Sequence, residues 1–553
     1  NTASGSYALM KTTSGNYNTA FGYSAAINNT TGVNNTAVGR TSLYNNTTGL
    51  ANVAIGMEAL YSNTTASYNT AVGWCALNAN TTASNNTAVG QSSLQKNTTG
   101  SWNTAIGLQT MGCNTTGSYN TASGSKALFA NTTGSSNTAN GIFALYSNTC
   151  GNHSTASGYS ALYANTTGCQ NVAVGGCALG SNTTASQNTA SGYIALKNNT
   201  TGSFNTAMGR SSSYSNTTGT YNTVIGRDAG YYNTTGSCNS VLGSAALLCN
   251  TSGGFNVAVG REALLSNTTA DNNVAVGACS LYANTSGTDN TAVGTFALKS
   301  NTCCGRNTAV GTCALQANTT GCRQTALGYG SLHCATTGKV NTATGYWSMA
   351  RLTTGCNNTA SGYKVMEYST TAKYSAAFGD RALRCNTTGC CNSAFGFYAL
   401  YNNTTANSNT AVGLCALATN TTGGSSVAVG VNAGLCNTTA SLVAVGVNAL
   451  CCNTTGYRNT AIGISALRTN STGNRNVAVG TKSSYCNTTG SFNTASGYVA
   501  LFNNTTGSAN TATGYCALYD NTTASENTAS GYAALQSNTT GCENTAIGRK
   551  AMC

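Results

Sequence analysis

The hydrophobic and polar positions of this 553-residue chain repeat with one period from end to end. Asn1-Thr2-Ala3-Ser4-Gly5 returns as Asn18-Thr19-Ala20-Phe21-Gly22, then as Asn35-Thr36-Ala37-Val38-Gly39, and onward every 17 residues. The register holds through residue 425 as 25 copies. A 16-residue copy covers 426–441, and six further copies lead to a ten-residue partial copy at 544–553. Written as positions 1 to 17, the unit is N-T-A-v-G-x-x-A-L-x-x-N-T-T-G-x-x. A fixed period marks an array of stacked supersecondary units. No linker or second domain interrupts it, so the sequence predicts one continuous body over 1–553, with 33 coils of which the last is partial.

Within the unit the pattern predicts two short strands and two corners. Position 2 is usually Thr and becomes Val in several copies, as at Val53 and Val172, and position 4 is mostly Val, Ile, Leu, Phe or Ser. Shared parity places both on one face, taken as the inner one, with the position 3 Ala outward. The second strand is expected over positions 8 to 11. Its position 9, Leu in 24 copies and Met in four, faces inward, and its position 10, Tyr in ten copies, faces outward. One corner falls at position 5, which is Gly in all 33 copies, among them Gly5, Gly22, Gly39, Gly56, Gly260 and Gly446. Such restriction implies positive φ or close approach of the next coil. The other corner is the Asn-Thr-Thr-Gly of positions 12 to 15.

Two strands and two turns in 17 residues describe an all-β chain, each unit one coil of a β-solenoid. The Thr, Asn, Gly and Val content and the absence of a 3.6-residue period argue against helical hairpins. A lone coil buries too little apolar surface to offset its ordering entropy, so the coils must stack. At about 4.8 Å per coil, the array would extend roughly 155 Å. In the short copy at 426–441, the missing residue is expected in the corner between Ala440 and Leu442, so that Val427, Val429, Val443 and Val445 keep their register.

Composition narrows the function. Only 6% of residues are charged and there is no Pro, unlike an ordinary globular enzyme or a disordered tail. The net charge of +13 comes from scattered residues such as Arg40, Lys96, Lys197 and Arg306, which form no nucleic-acid-binding arm. No apolar window of about 18 residues suggests a membrane segment. Acidic residues such as Glu58, Asp228 and Asp271 do not recur with His or Ser. There is no phosphate-binding loop, and only His153 and His333 could join the cysteines as metal ligands. Neither catalysis, cofactor nor metal is expected. The chain opens on Asn1 without Met and stops in mid-pattern at Cys553, as a processed product or a segment of something longer would.

The N-T-A-v-G-x-x-A-L-x-x-N-T-T-G pattern resembles the head repeats of trimeric autotransporter adhesins, whose S-V-A-I-G-x-x-A-like units wind into a left-handed β-roll. It is also similar to repeats of phage tail fibres and other long surface proteins. The resemblance covers the whole chain and implies a left-handed β-roll, homotrimers and display on a surface. The unit here is longer than the adhesin unit, abundant Cys is foreign to that family, and neither its stalk nor its barrel is seen. Self-association of a single-chain solenoid end to end therefore stands beside the homotrimer.

Two residue classes carry candidate sites. The Asn-Thr-Thr corner is an N-glycosylation acceptor in 26 of 32 copies, for example at Asn29, Asn46, Asn63, Asn80, Asn97 and Asn131. The alternative is an asparagine ladder, with stacked side chains hydrogen-bonded along the array. Acceptors about 4.8 Å apart cannot all carry glycans. Among the 25 cysteines, Cys436 and Cys452 share one position on adjacent coils and are a candidate disulfide, and Cys553 is a candidate for a bond to another chain. The function expected is a structural extracellular fibre or filament subunit, a rod-like scaffold or adhesive shaft at a cell or virion surface. The alternatives are a surface-binding solenoid such as an adhesin or ice-binding protein, for which the Thr of positions 13 and 14 would be the face, and a viral tail fibre.

Overall fold

The computed structural model describes residues 1–553. It holds no helix and 33 strands, one per coil, nearly all spanning positions 2 to 4. The chain groups into two compact units, Asn1–Ala278 and Cys279–Cys553. The first carries the strands from Thr2–Ser4 to Val274–Val276, and the second those from Thr291–Val293 to Thr545–Ile547. Within each unit neighbouring strands pair in parallel, offset by one coil. Thr155, for instance, pairs with Thr138 on one side and Val172 on the other. The fold is the expected β-solenoid with coils of 17 residues.

The inner face of the strand is the reverse of the one predicted. Ala156, Ala173 and Ala207, all at position 3, are fully buried, whereas Val172 and Val174 at positions 2 and 4 are 37% and 43% exposed. The opposite wall is the row of position 9 leucines, such as Leu145, Leu162 and Leu179, which are fully buried. Between that wall and the strand there is room for a methyl group. In one coil a larger position 3 residue is matched by a smaller partner. Val224 replaces the Ala in the coil whose position 9 is Gly230, and a Cβ on Gly230 would lie 3.4 Å from Val224 Cγ1. In that coil the added volume is offset across the interior, as close packing favours.

The second strand does not form. Positions 5 to 12 are instead two consecutive tight turns. In one coil Ala144 N–H donates to Gly141 O at 3.3 Å and Asn148 N–H to Leu145 O at 3.2 Å. Phe143 and Leu145 adopt φ of 58° and 51°. This left-handed alternation turns both Ala144 and Leu145 inward, whereas successive strand residues face opposite sides. Such a conformation costs about 1 to 2 kcal/mol per non-glycine residue. It is held by bonds to both neighbouring coils: Phe143 N–H to Ser125 O at 3.1 Å, and Leu145 N–H to Ala161 O at 2.9 Å. Position 10 faces outward as expected, with Tyr163 40% exposed.

The position 5 corner is tight for both reasons anticipated. Gly260 has φ +125°, and a Cβ there would lie 2.7 Å from the backbone carbonyl of Gly277. Gly5, Gly22, Gly39, Gly56 and Gly446 share the positive φ, between +127° and +134°. Position 5 N–H groups beyond the first coil also donate to the preceding coil, as Gly56 does to Val38 O at 2.7 Å.

The short copy keeps its register. Val427, Ala428 and Val429 pair with Val443, Ala444 and Val445. Ser441 O accepts from Arg458 N–H at 2.8 Å, the bond that position 16 makes elsewhere, as between Asn34 N–H and Asn16 O. Position 17 is therefore the residue lost, at the predicted corner. Val443 and Val445 do not enter the core, which Ala444 occupies instead. Leu442, standing where other coils have Asn, lies 3.5 Å from the place of a Cβ on Gly434 and fills the space left by that missing leucine.

The corner geometry predicts the outcome of Gly260→Val. A β-branched residue at this φ, placed against backbone that has nowhere to move, should destabilise the local coils by at least about 3 kcal/mol. Hydrogen exchange should lose protection across strands Leu242 to Val276, and unchanged protection would refute the assignment of this corner.

Candidate functional site

The polar side chains of each coil converge on the position 12 to 15 corner. Position 12 asparagines are fully buried, including Asn29, Asn46, Asn63, Asn80, Asn97 and Asn131. Each Nδ2 beyond the first of these donates to the preceding Asn Oδ1, as from Asn46 to Asn29 at 2.8 Å, Asn97 to Asn80 at 3.0 Å and Asn131 to Asn114 at 2.7 Å. The same nitrogen also donates to the carbonyl three residues on, as from Asn131 to Gly134 O at 2.9 Å. Both N–H groups of the amide are thereby used. The sequon asparagines are thus rungs of a ladder, with Nδ2 facing the interior.

A second ladder, which sequence reasoning missed, runs along position 1. Asn120 Nδ2 donates to the same Gly134 carbonyl at 2.9 Å, and Asn120 Oδ1 accepts the backbone N–H of Asn137 at 3.0 Å. One carbonyl per coil therefore accepts two amide donors, matching its two lone pairs. The signal was present in the sequence, since position 1 is Asn almost as regularly as position 12. Position 13 adds a third inter-coil bond, in which the Thr30 hydroxyl donates to Thr47 O at 3.0 Å.

Outward positions form columns of like side chains. At position 10, Phe129, Tyr146 and Tyr163 stack with centroids 5.4 and 5.2 Å apart. At position 6, Tyr498, Tyr515 and Tyr532 stack at 5.2 Å in each step. Phe378 and Phe395 do so at position 4, with centroids 5.0 Å apart. The coil repeat sets these distances, which fall in the range favoured by aromatic pairs. One charged cluster interrupts the pattern. Arg384 Nε donates to the buried Glu367 carboxylate at 2.6 Å and its Nη1 to Tyr401 OH at 2.7 Å.

Cys436 and Cys452 do not form the expected disulfide, both being thiols. Cys436 meets the neighbouring coil through its backbone N–H, which donates to Cys451 O at 2.9 Å. Cys553 Sγ lies 3.9 Å from Gln536 Oε1. The one disulfide joins Cys304 and Cys322, at positions 15 and 16 of adjacent coils. A search by identical position overlooks a pair separated by one coil plus one residue. Among the thiols, Cys75 is buried and its Sγ donates to Glu58 Oε2 at 3.4 Å. Burial, then the hydrogen bond and charge of Glu58, push this thiol from 9.0 up to about 11.

No protein-family model and no curated protein matches the chain.

The ladder predicts that Asn131→Ala leaves Asn114 Oδ1 and Asn148 Nδ2 without their buried partners. Each orphaned group should cost about 1 to 3 kcal/mol, read as faster amide exchange in the flanking coils. Exchange equal to the unaltered protein would remove the ladder as a source of stability. For Cys75, the folded state holds the proton more tightly than the unfolded chain. Its contribution is therefore complete below pH 9 and is lost as pH rises through about 11. Alkylation of Cys75 should be slow at pH 8 and accelerate toward pH 11, with Glu58→Gln moving the profile to lower pH. A rate at pH 8 equal to that of the exposed Cys303 would contradict this reading.

Proposed function

We propose that the chain is a structural subunit of an extracellular or cell-surface fibre, a scaffold that presents columns of outward side chains at a fixed spacing. The observation that carries this reading is the asparagine ladder, in which Asn46 Nδ2 donates to Asn29 Oδ1 and Asn131 Nδ2 to Asn114 Oδ1 of the preceding coil. The recurring polar groups serve to hold one coil to the next. Variable residues stand outside this framework, where exposed rings such as Tyr159, Tyr193 and Tyr221 offer adhesive surface. A coil from a second copy would present the same donors and acceptors, which supports self-association by coil-on-coil stacking.

The ice-binding alternative is less well supported. The position 13 hydroxyls, a candidate water-ordering row, donate to carbonyls of the adjacent coil. Electron microscopy of the purified protein tests the proposal, together with thermal hysteresis. Elongated particles, with multiples that persist under reducing conditions, and no hysteresis are expected. Compact particles would refute the fibre reading, and measurable hysteresis would favour the ice-binding one.

A further inference from the structure

The position 10 column of the first unit is broken at one rung. Phe129, Tyr146 and Tyr163 stack in succession, and the next coil carries Gly180. The atoms nearest a Cβ on Gly180 would be backbone atoms of Cys177 in its own coil, and no ring of the next coil is among them. The following coil carries Lys197, whose Nζ lies 5.7 Å from the Tyr214 ring on its far side. Tyr163, 40% exposed, thus has no ring stacked on its Gly180 side. The other glycine in this column, Gly112, is different, because the Phe129 ring lies 3.1 Å from its would-be Cβ and occupies the space.

The gap has walls. Phe143 stands edge-on to Tyr146, Tyr159 and Tyr163, at interplanar angles of 81°, 75° and 84°. With Tyr159, Tyr163, Cys177, Ser181 and Lys197 it lines an open-sided cavity of about 320 Å³. Two coil steps separate Tyr163 from Lys197, about 9.6 Å at the usual strand spacing. That is the height at which one planar ring would lie a stacking distance from each. Tyr163 supplies a π face, Lys197 a cation within reach of the ring's other face, and Ser181 a hydroxyl at the side.

We propose that the Gly180 notch is a binding site for a single planar aromatic ring of the phenol class, which completes the broken column by stacking on Tyr163 beneath the Lys197 ammonium. A saturated ring of equal size lacks both the flat face and the quadrupole and should not be held.

Cys177 in the cavity wall is a thiol and gives a local readout. The probe is p-cresol, and the measurement is the rate of iodoacetamide modification of Cys177, resolved by mass spectrometry with the exposed Cys542 as internal reference. In the unaltered protein, p-cresol should slow Cys177 saturably, by about tenfold at roughly nine times its Kd, without slowing Cys542. Cyclohexylmethanol should have no such effect. Tyr163→Ala should lose most of the protection while folding normally, since Ala350 and Ala418 already stand at position 10. Gly180→Tyr, which inserts the ring that ten coils carry there, should make the Cys177 rate independent of p-cresol. The site is refuted if Cys177 shows no saturable protection, if cyclohexylmethanol protects equally, or if either variant is protected as well as the unaltered protein.

Discussion

The fold depends on the buried asparagines, each of which finds partners for its amide both within its own coil and in an adjacent one. The corner carbonyl at position 15 shows how this is met, because it accepts Nδ2 of both the position 12 and the position 1 asparagine of its own coil, whose Oδ1 atoms in turn accept from the next coil. An unpaired amide in this setting would cost about 1 to 3 kcal/mol. The same error made in every coil would exceed the stability of any domain. Asparagine suits the role because its amide offers two donors and an acceptor on a short stem, enough to bond within the coil and along the stack at once.

The ladder also accounts for the backbone. Stacking identical coils at strand spacing lets each peptide bond to its neighbours without a conventional strand, so positions 7 and 9 can turn left-handed and still have partners. That alternation brings consecutive residues, Ala144 and Leu145, to the same inner side. A thin interior of Ala and Leu results, and it confines the corner at Gly260 against Gly277. Local cost in φ is tolerated because the neighbours on either side over-determine the conformation.

The coil length, the Gly corner, the inward Leu and the position 12 ladder were legible because each shows as restriction at a single position. The face of the strand was not, because apolar character was read as burial. Size tolerance was the better guide. Position 4 accepts Asn140, Thr344 and Phe378 and is outward, whereas position 3 is Ala with no residue larger than Val224 or Val241 and is inward. The missing second strand was illegible for a different reason. Nothing in Leu145 or Phe143 announces a left-handed φ, which arises from the contacts of the stack. The Cys304 to Cys322 disulfide depends on how the corner offsets adjacent coils.

The irregular coils show that the interior tolerates changes of identity that refill its space. Where position 12 becomes Ala335, Leu352 and Ser369 in three successive coils, the asparagine ladder stops. At its edge Gln324 replaces the position 1 Asn and its Nε2 reaches back 2.8 Å to Asn318 Oδ1, so the last rung keeps a donor. Leu352 fills the middle of the break and is fully buried. Ala335 and Leu352 replace amides by apolar side chains, while the buried Ser369 hydroxyl is left without a partner, a cost confined to the end of the break. Where Gly434 vacates the leucine position, Leu442 enters from position 1 of the next coil. Since interior changes are balanced within a coil or two, the outward positions are free of them. The surface can then carry rings, charges or a gap at any chosen rung without disturbing the stack that holds it.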